Sequence, residues 1–304
     1  MDHRELTARI KALLRERRGI WLAHNYQRPE IQDGADLTGD SLALSIAAAK
    51  TDAELILFCG VHFMAESAAI LSPQKRVLLP RLDAGCPMAN MIAAEQLVGA
   101  KRQRPGYSVV TYVNSTAAVK AESDICCTSA NAVRVVEAAP SEKVFFAPDQ
   151  NLAQWVAAQT KKKVEWWRGF CPTHHRLTAE HVRRAKERWP DAVVVVHPEC
   201  RPEVTALADL VASTSGMLKW AQTASVKRAL IGTEEGLLHG LRKANANIEY
   251  ALIDEETLIC PNMKLTTLPD VLAALERPAD YTVTVPDDIR RRAKRALDRM
   301  LEVG

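Results

Sequence analysis

The sequence predicts an α/β protein of three similar lobes, each a small parallel sheet covered by helices, closing on one shared centre. Three observations point there. Cysteines followed by proline recur at Gly85-Cys86-Pro87, Phe170-Cys171-Pro172 and Ile259-Cys260-Pro261, 85 and 89 residues apart. Even spacing on that scale marks an internal repeat. Short apolar runs alternating with helical patterns recur with the same period, which indicates parallel strands with covering helices. The unusual polar residues fall just after those runs, at the carboxyl ends of strands, where open parallel sheets bind ligands.

Each third contains four strand patterns. The first are expected at 20–24, 108–113 and 192–197, ending in His24-Asn25-Tyr26, Asn114-Ser115-Thr116 and His197-Pro198-Glu199. The second begin at Asp36, Asp124 and Asp209 and lead to Ser41, Ser129 and Ser213-Thr214. The third cover 55–59, 144–147 and 229–231, followed by Gly60-Val61-His62, Pro148-Asp149-Gln150 and Gly232-Thr233-Glu234. The fourth, at 77–80, 164–167 and 250–253, each lead to a cysteine. Helical spacing of apolar residues predicts helices over 41–50 and 181–189. Two amphipathic segments are expected to pack at the periphery: 5–18, with Leu6, Ile10, Leu13 and Leu14 on one face, and a C-terminal stripe of Ile289, Ala293, Leu297 and Met300. Asp287 and Asp288 favour the start of the latter. The expected domains are 1–85 with the C-terminal helix 286–304, then 86–170, then 171–285.

Composition sets the class. The 304 residues are 47% hydrophobic and 25% charged, an ordinary globular chain with room for two or three small domains. A net charge of +3 argues against a large nucleic-acid footprint. No apolar run has the length of a bilayer span, so no membrane partner is expected. The start, Met1-Asp2-His3-Arg4-Glu5, lacks the apolar stretch of a secretory leader. A cytoplasmic location with reduced thiols is therefore expected. Seven cysteines, an odd number without dense spacing, suggest ligands and buried thiols rather than disulfides.

Cys59, Cys126 and Cys127 lie in or beside strand patterns and read as small buried hydrophobes. Cys200 follows a strand end, and burial is the favoured reading there too. Cys86, Cys171 and Cys260 differ because they occupy matching places in three repeats. Thiolates from three lobes meet only at a shared centre, and three ligands leave a metal position open. A structural zinc ion normally fills four positions, whereas a cluster on three thiolates keeps one iron free as a Lewis acid. Ser41, Ser129, Ser213 and Thr214 stand where hydroxyls either cap helices or hold oxyanions. His24, Tyr26, Tyr112, Asn114, His174, His197 and Glu199 are either structural hydrogen bonders or, around an open metal, groups that orient substrate and move protons. For His62 and Glu66, helix capping and substrate contact stay equally open.

Eight runs now combine, in order, between Trp21 and Lys264. They are Ala23-His24-Asn25-Tyr26-Gln27, Gly39-Asp40-Ser41-Leu42, Gly85-Cys86-Pro87-Met88-Ala89, Tyr112-Val113-Asn114-Ser115, Thr128-Ser129-Ala130-Asn131-Ala132, Cys171-Pro172-Thr173-His174, His197-Pro198-Glu199-Cys200 and Cys260-Pro261-Asn262-Met263-Lys264. Together they resemble the quinolinate synthase family. The resemblance implies three pseudo-symmetric three-layer αβα domains with small parallel sheets around a central iron–sulfur site. It implies a [4Fe-4S] enzyme of NAD biosynthesis, its cluster on Cys86, Cys171 and Cys260. Iminoaspartate and dihydroxyacetone phosphate would condense to quinolinate, phosphate and two waters. Glu199 is then the principal general acid/base, and Tyr26 acts in isomerising or dehydrating the triose-derived fragment. His24, His197 and Thr214 complete the implied catalytic set. His197, Ser213 and Thr214 would hold a carboxylate, Tyr112 and Asn114 would position substrate, and Ser41, Ser129 and His174 would also bind it. An L-aspartate oxidase or an aspartate dehydrogenase is the expected source of the imine. Cys260 stands without the C-x-x-C-x-x-C run of some members, so that redox variation is not expected. Two alternatives stand beside this reading: another [4Fe-4S] hydro-lyase acting on a small hydroxy acid, and a non-catalytic zinc-stabilised metabolite-binding protein.

Overall fold

The computed structural model describes residues 2–304. Its strands form three separate four-stranded sheets, each parallel throughout. In the first, β1 (Gly19–His24), β2 (Leu37–Gly39), β3 (Leu55–Cys59) and β4 (Arg76–Leu78) lie in the order β2-β1-β3-β4. The second holds β5 (Ser108–Tyr112), β6 (Ile125–Cys127), β7 (Lys143–Ala147) and β8 (Lys163–Trp166) in the order β6-β5-β7-β8. The third holds β9 (Val193–Val196), β10 (Leu210–Val211), β11 (Arg228–Gly232) and β12 (Glu249–Leu252) in the order β10-β9-β11-β12. One strand order used three times is the structural form of the repeat. In each sheet the order reverses between the first and third strands, so the loops leaving them part and open a crevice at the carboxyl edge.

A repeated carboxylate sets the start of each second strand. Asp36 Oδ2 accepts the Trp21 N–H at 2.9 Å, and the Asp36 N–H returns to Trp21 O at 2.9 Å. Asp124 makes the same exchange with Val109 at 2.7 and 3.1 Å. Asp209 makes it with Val194 at 2.8 and 2.9 Å. This side-chain bond does at the strand entrance what a ladder bond does further on, which explains aspartate at that place in every lobe.

Every residue of β3 and β5 is buried, as expected of parallel strands covered on both faces. The helix Ser41–Lys50 has its expected bounds, and the Asp40 carboxylate caps it by accepting the Ala43 N–H at 2.9 Å. The helix expected over 181–189 runs Ala179–Arg188, because Thr178 supplies the cap and moves its start forward. The helix His3–Glu16 buries Leu6, Ile10 and Leu14, and Leu13 packs at the edge of that cluster. No helix among the described residues is long and apolar enough to cross a membrane.

Two helices pack on lobes other than those the expected domain bounds place them in. The helix Leu268–Glu276, within 171–285, covers the first sheet: Leu268, Val271 and Leu275 share a core with Leu6, Ile10, Trp21 and Leu57. The chain then pairs with β4, Leu79 donating to Tyr281 O and Val283 to Val77 O. The C-terminal helix Asp287–Val303, grouped with the first domain by sequence, packs chiefly on the helix Ala117–Ala121 and β6 of the second sheet. It also reaches the helix His62–Leu71 of the first. Its buried stripe of Ala293, Leu297 and Met300 needs an apolar partner, and the junction of two lobes supplies a larger one than either lobe alone.

Candidate active site

Each Cys-Pro pair begins a short helix. Cys171 caps Pro172–His175, Cys260 caps the 3₁₀ turn Pro261–Lys264, and Pro87 after Cys86 caps the 3₁₀ turn Met88–Asn90. Proline suits a first helical position, where its missing N–H is not needed. The turn then brings amides near the sulfur, and those of Met88 and Ala89 favour the Cys86 thiolate, that of His174 the Cys171 thiolate, and those of Asn262 and Met263 the Cys260 thiolate. All three cysteines line one cavity of about 260 Å³. Burial pushes their thiols up, Cys86 to about 12, against these backbone donors. Negative neighbours add to the effect: Cys260 beside Cys86, Glu199 beside Cys171, and Glu234 beside Cys260.

The same cavity is walled from all three lobes. The first contributes His24, Tyr26 and Ser41, the second Tyr112, Asn114 and Ser129, and the third His174, His197, Glu199 and Thr214. Ser213 is the exception. Its Oγ accepts the Gly216 N–H at 3.2 Å and caps the helix Thr214–Thr223, so the capping reading applies to it.

A chain of hydrogen bonds crosses the wall. Tyr26 Oη lies 2.6 Å from Thr233 Oγ1, and Thr233 Oγ1 lies 2.8 Å from His174 Nε2. His174 Nδ1 lies 2.7 Å from Glu199 Oε2 and 3.2 Å from Cys171 Sγ. One assignment satisfies the chain: Tyr26 donates to Thr233, Thr233 donates to Nε2, and Nδ1–H donates to the Glu199 carboxylate. His197 stacks on His174 with ring centroids 4.8 Å apart. The Glu199 N–H donates to His197 Nδ1 at 3.3 Å, which leaves Nε2–H for Ser129 Oγ at 3.2 Å. His24 is fixed likewise, its Nδ1 accepting the Tyr26 N–H at 3.2 Å.

Comparison with known proteins agrees with this architecture. The sequence pattern described as quinolinate synthetase A protein, NadA, matches residues 8–302. The chain belongs to the quinolinate synthetase A family. It is 56% identical over 299 residues to a quinolinate synthase of Geotalea uraniireducens, covering 98% of each chain. It is 57% identical over 303 residues to one from a Geobacter species (strain M21), covering 100% of this chain and 99% of the other. A quinolinate synthase from Methanosarcina barkeri is 54% identical over 303 residues with the same coverage. Three parallel sheets of identical order accord with the three pseudo-repeated domains of the family.

The donor set of this family member fits an iron–sulfur cluster. Three soft thiols share one cavity, and among the described residues no fourth cysteine lines it. Cys200 Sγ is turned to Gly232 O at 3.3 Å, Cys59 Sγ accepts the Trp21 indole N–H at 3.1 Å, and Cys126 and Cys127 are buried in β6. Among the described residues one trio, Cys171, His174 and Glu199, has ligand atoms within 4.8 Å of one another. Those contacts already serve as hydrogen bonds, and a lone ion there would leave Cys86 and Cys260 unused.

Electrostatics set the protonation states. Burial lowers His24 to about 4 and His197 to about 3, so both are neutral donors near pH 7. Burial alone would raise the Glu199 carboxyl; the imidazoles of His174 and His197, with the hydrogen bond from His174, outweigh it and hold the carboxyl below its ordinary range. Burial and then the Glu199 charge push the Tyr26 and Tyr112 phenols well up. Asn114 Oδ1 and Glu199 Oε1 are buried without any partner, and both residues line the cavity. Each such orphan costs about 1–3 kcal/mol until a ligand satisfies it.

Thr233 was not among the residues singled out from the sequence. Its one signal was its place just after β11, at a carboxyl strand end. His62 and Glu66 line a separate cavity of about 220 Å³ that also touches Cys86. Glu66 Oε2 accepts the Ala117 N–H at 3.0 Å and so ties the first lobe to the second.

Proposed function

We propose that this quinolinate synthase condenses iminoaspartate with dihydroxyacetone phosphate in the cavity shared by its three lobes, releasing quinolinate, phosphate and two waters. Cys86, Cys171 and Cys260 would hold a [4Fe-4S] cluster. When bound, the cluster supplies a Lewis-acidic iron with one position free for a substrate oxygen or nitrogen.

The observation that carries this reading is the hydrogen-bond chain from Tyr26 to Glu199, ending at an unpaired carboxylate oxygen in a cavity lined by three thiols. With an ionised Glu199 behind it, His174 draws a proton from Thr233, and Thr233 draws one from Tyr26. The phenolate this leaves on Tyr26 would take a proton from the triose-derived carbon, and the phenol so formed would give it to a departing hydroxyl. The His174–Glu199 pair, more than Glu199 alone, stores that proton. Neutral Nε2–H groups on His24 and His197 and the hydroxyls of Ser41, Ser129 and Thr214 suit carboxylate and phosphate oxygens without burying extra positive charge. Asn114 Oδ1 is an acceptor suited to the imine or a substrate hydroxyl. Deep burial of this wall keeps water from the hydrolysable imine. An L-aspartate oxidase or an aspartate dehydrogenase is the class of enzyme that would supply that imine.

The test is an anaerobic assay after iron–sulfur reconstitution. Quinolinate should form from iminoaspartate and the triose phosphate, and only with the cluster present. Dehydration of a hydroxy acid without pyridine formation would favour the hydro-lyase alternative. A colourless protein holding stoichiometric zinc after anaerobic purification would end the cluster assignment.

A further inference from the structure

Glu234 is fully buried beside the cavity, and none of the steps above uses it. Its carboxylate is saturated by the protein. Oε1 faces Lys264 Nζ at 3.0 Å and accepts the Cys260 N–H at 3.1 Å. Oε2 accepts the Gly236 N–H at 2.8 Å and a second contact from Lys264 Nζ at 3.1 Å. Unlike Glu199, it keeps no oxygen for substrate. Lys264 Nζ also donates to Tyr26 O at 2.8 Å. Gly236 packs so closely that a β-carbon there would stand 2.7 Å from the Tyr26 carbonyl, so glycine is required at that contact. The turn after β11 therefore holds Tyr26 at both ends, the phenol through Thr233 and the main chain through the ion pair. The same carboxylate orders the amide of Cys260.

We propose that Glu234 and Lys264 form a positioning pair, which sets Tyr26 against Thr233 and orders the Cys260 loop without touching substrate. A buried pair with all its bonds made adds little net stability, but removing one partner leaves an uncompensated charge. The inference rests on the reading of Tyr26 as a proton-moving group. The test compares Glu234→Gln, Lys264→Met and the double variant with wild type, all reconstituted anaerobically. The single variants should lose about 10- to 100-fold in kcat, with KM for the triose phosphate within about threefold. The double variant should lose less than the product of the single losses, because it leaves no lone charge. A chelator should strip iron faster from Glu234→Gln than from wild type. Wild-type kcat in the folded single variants, or losses that simply multiply, would overturn the pairing. Should Lys264→Met fail to fold, the kcat of Glu234→Gln against wild type, together with its rate of iron loss, still decides it. Wild-type enzyme that made no quinolinate would instead sink the proposed function, and non-additive thermal unfolding of the cluster-free variants would then test the pair by itself.

Discussion

Between the Tyr26 phenol and the His174 imidazole stands a single hydroxyl, that of Thr233. Thr233→Val keeps the branched shape and breaks the chain there. Its kcat should fall by about 10²- to 10⁴-fold, while visible absorbance reports an intact cluster. Glu199→Gln should likewise stay brown and lose most turnover; full activity would refute its part in proton transfer. Acidification should act through the buried histidines. His24 and His197 titrate near 4 and 3 in the fold against 6.5 in the unfolded chain. Below about pH 6.5 the unfolded chain takes up protons that the fold does not, so stability falls as pH drops toward 4. Each histidine should remove about 2 kcal/mol between pH 7 and pH 5. Urea midpoints at the two pH values measure this, and His197→Gln should flatten the dependence. His24, Tyr26, His197 and Glu199 were legible in the sequence because they recur at strand ends. Thr233 was not, since its meaning depends on Tyr26, 207 positions away, and on His174, 59 away. Ser213 caps its helix, and the sequence could not separate that role from an oxyanion ligand because both call for the same residue at the same place.

Strands were the most legible elements, since a parallel strand buried on both faces needs a compact apolar run and little else resembles one. The aspartates entering β2, β6 and β10 sharpen this, because each answers a strand amide 15 positions earlier. Replacing any one of Asp36, Asp124 or Asp209 by alanine should cost about 1.5–3 kcal/mol, the range for a hydrogen bond to a charged acceptor. The three losses should be similar, with kcat of the folded protein unchanged. Unequal losses in chemical denaturation would show that the lobes do not use the device alike. The placement of Leu268–Glu276 and Asp287–Val303 was not legible. An amphipathic helix records that it must cover something, and the surface awaiting cover exists only after the sheets have folded.

At the scale of the whole molecule, even spacing of three Cys-Pro pairs foretold their convergence, because equivalent loops of equivalent lobes meet where the lobes meet. Serine at Cys86, Cys171 or Cys260 should abolish both the brown chromophore and turnover, whereas serine at Cys59 or Cys126 should leave the chromophore in place. Iron and sulfide content of the reconstituted variants checks it. Retention of a full cluster by all three single serine variants would break the assignment.

The returning tail has a consequence for biogenesis. Once Lys264 has emerged from the ribosome, Cys86, Cys171 and Cys260 are all outside it, yet the segment that roofs the first sheet, Leu268–Glu276, is still inside the exit channel. A nascent chain caught at that point would expose Ile10 and Leu57, normally sealed beneath Val271 and Leu275. Until that segment emerges the first lobe stays unfinished, and chaperones that bind apolar surface should engage the chain there.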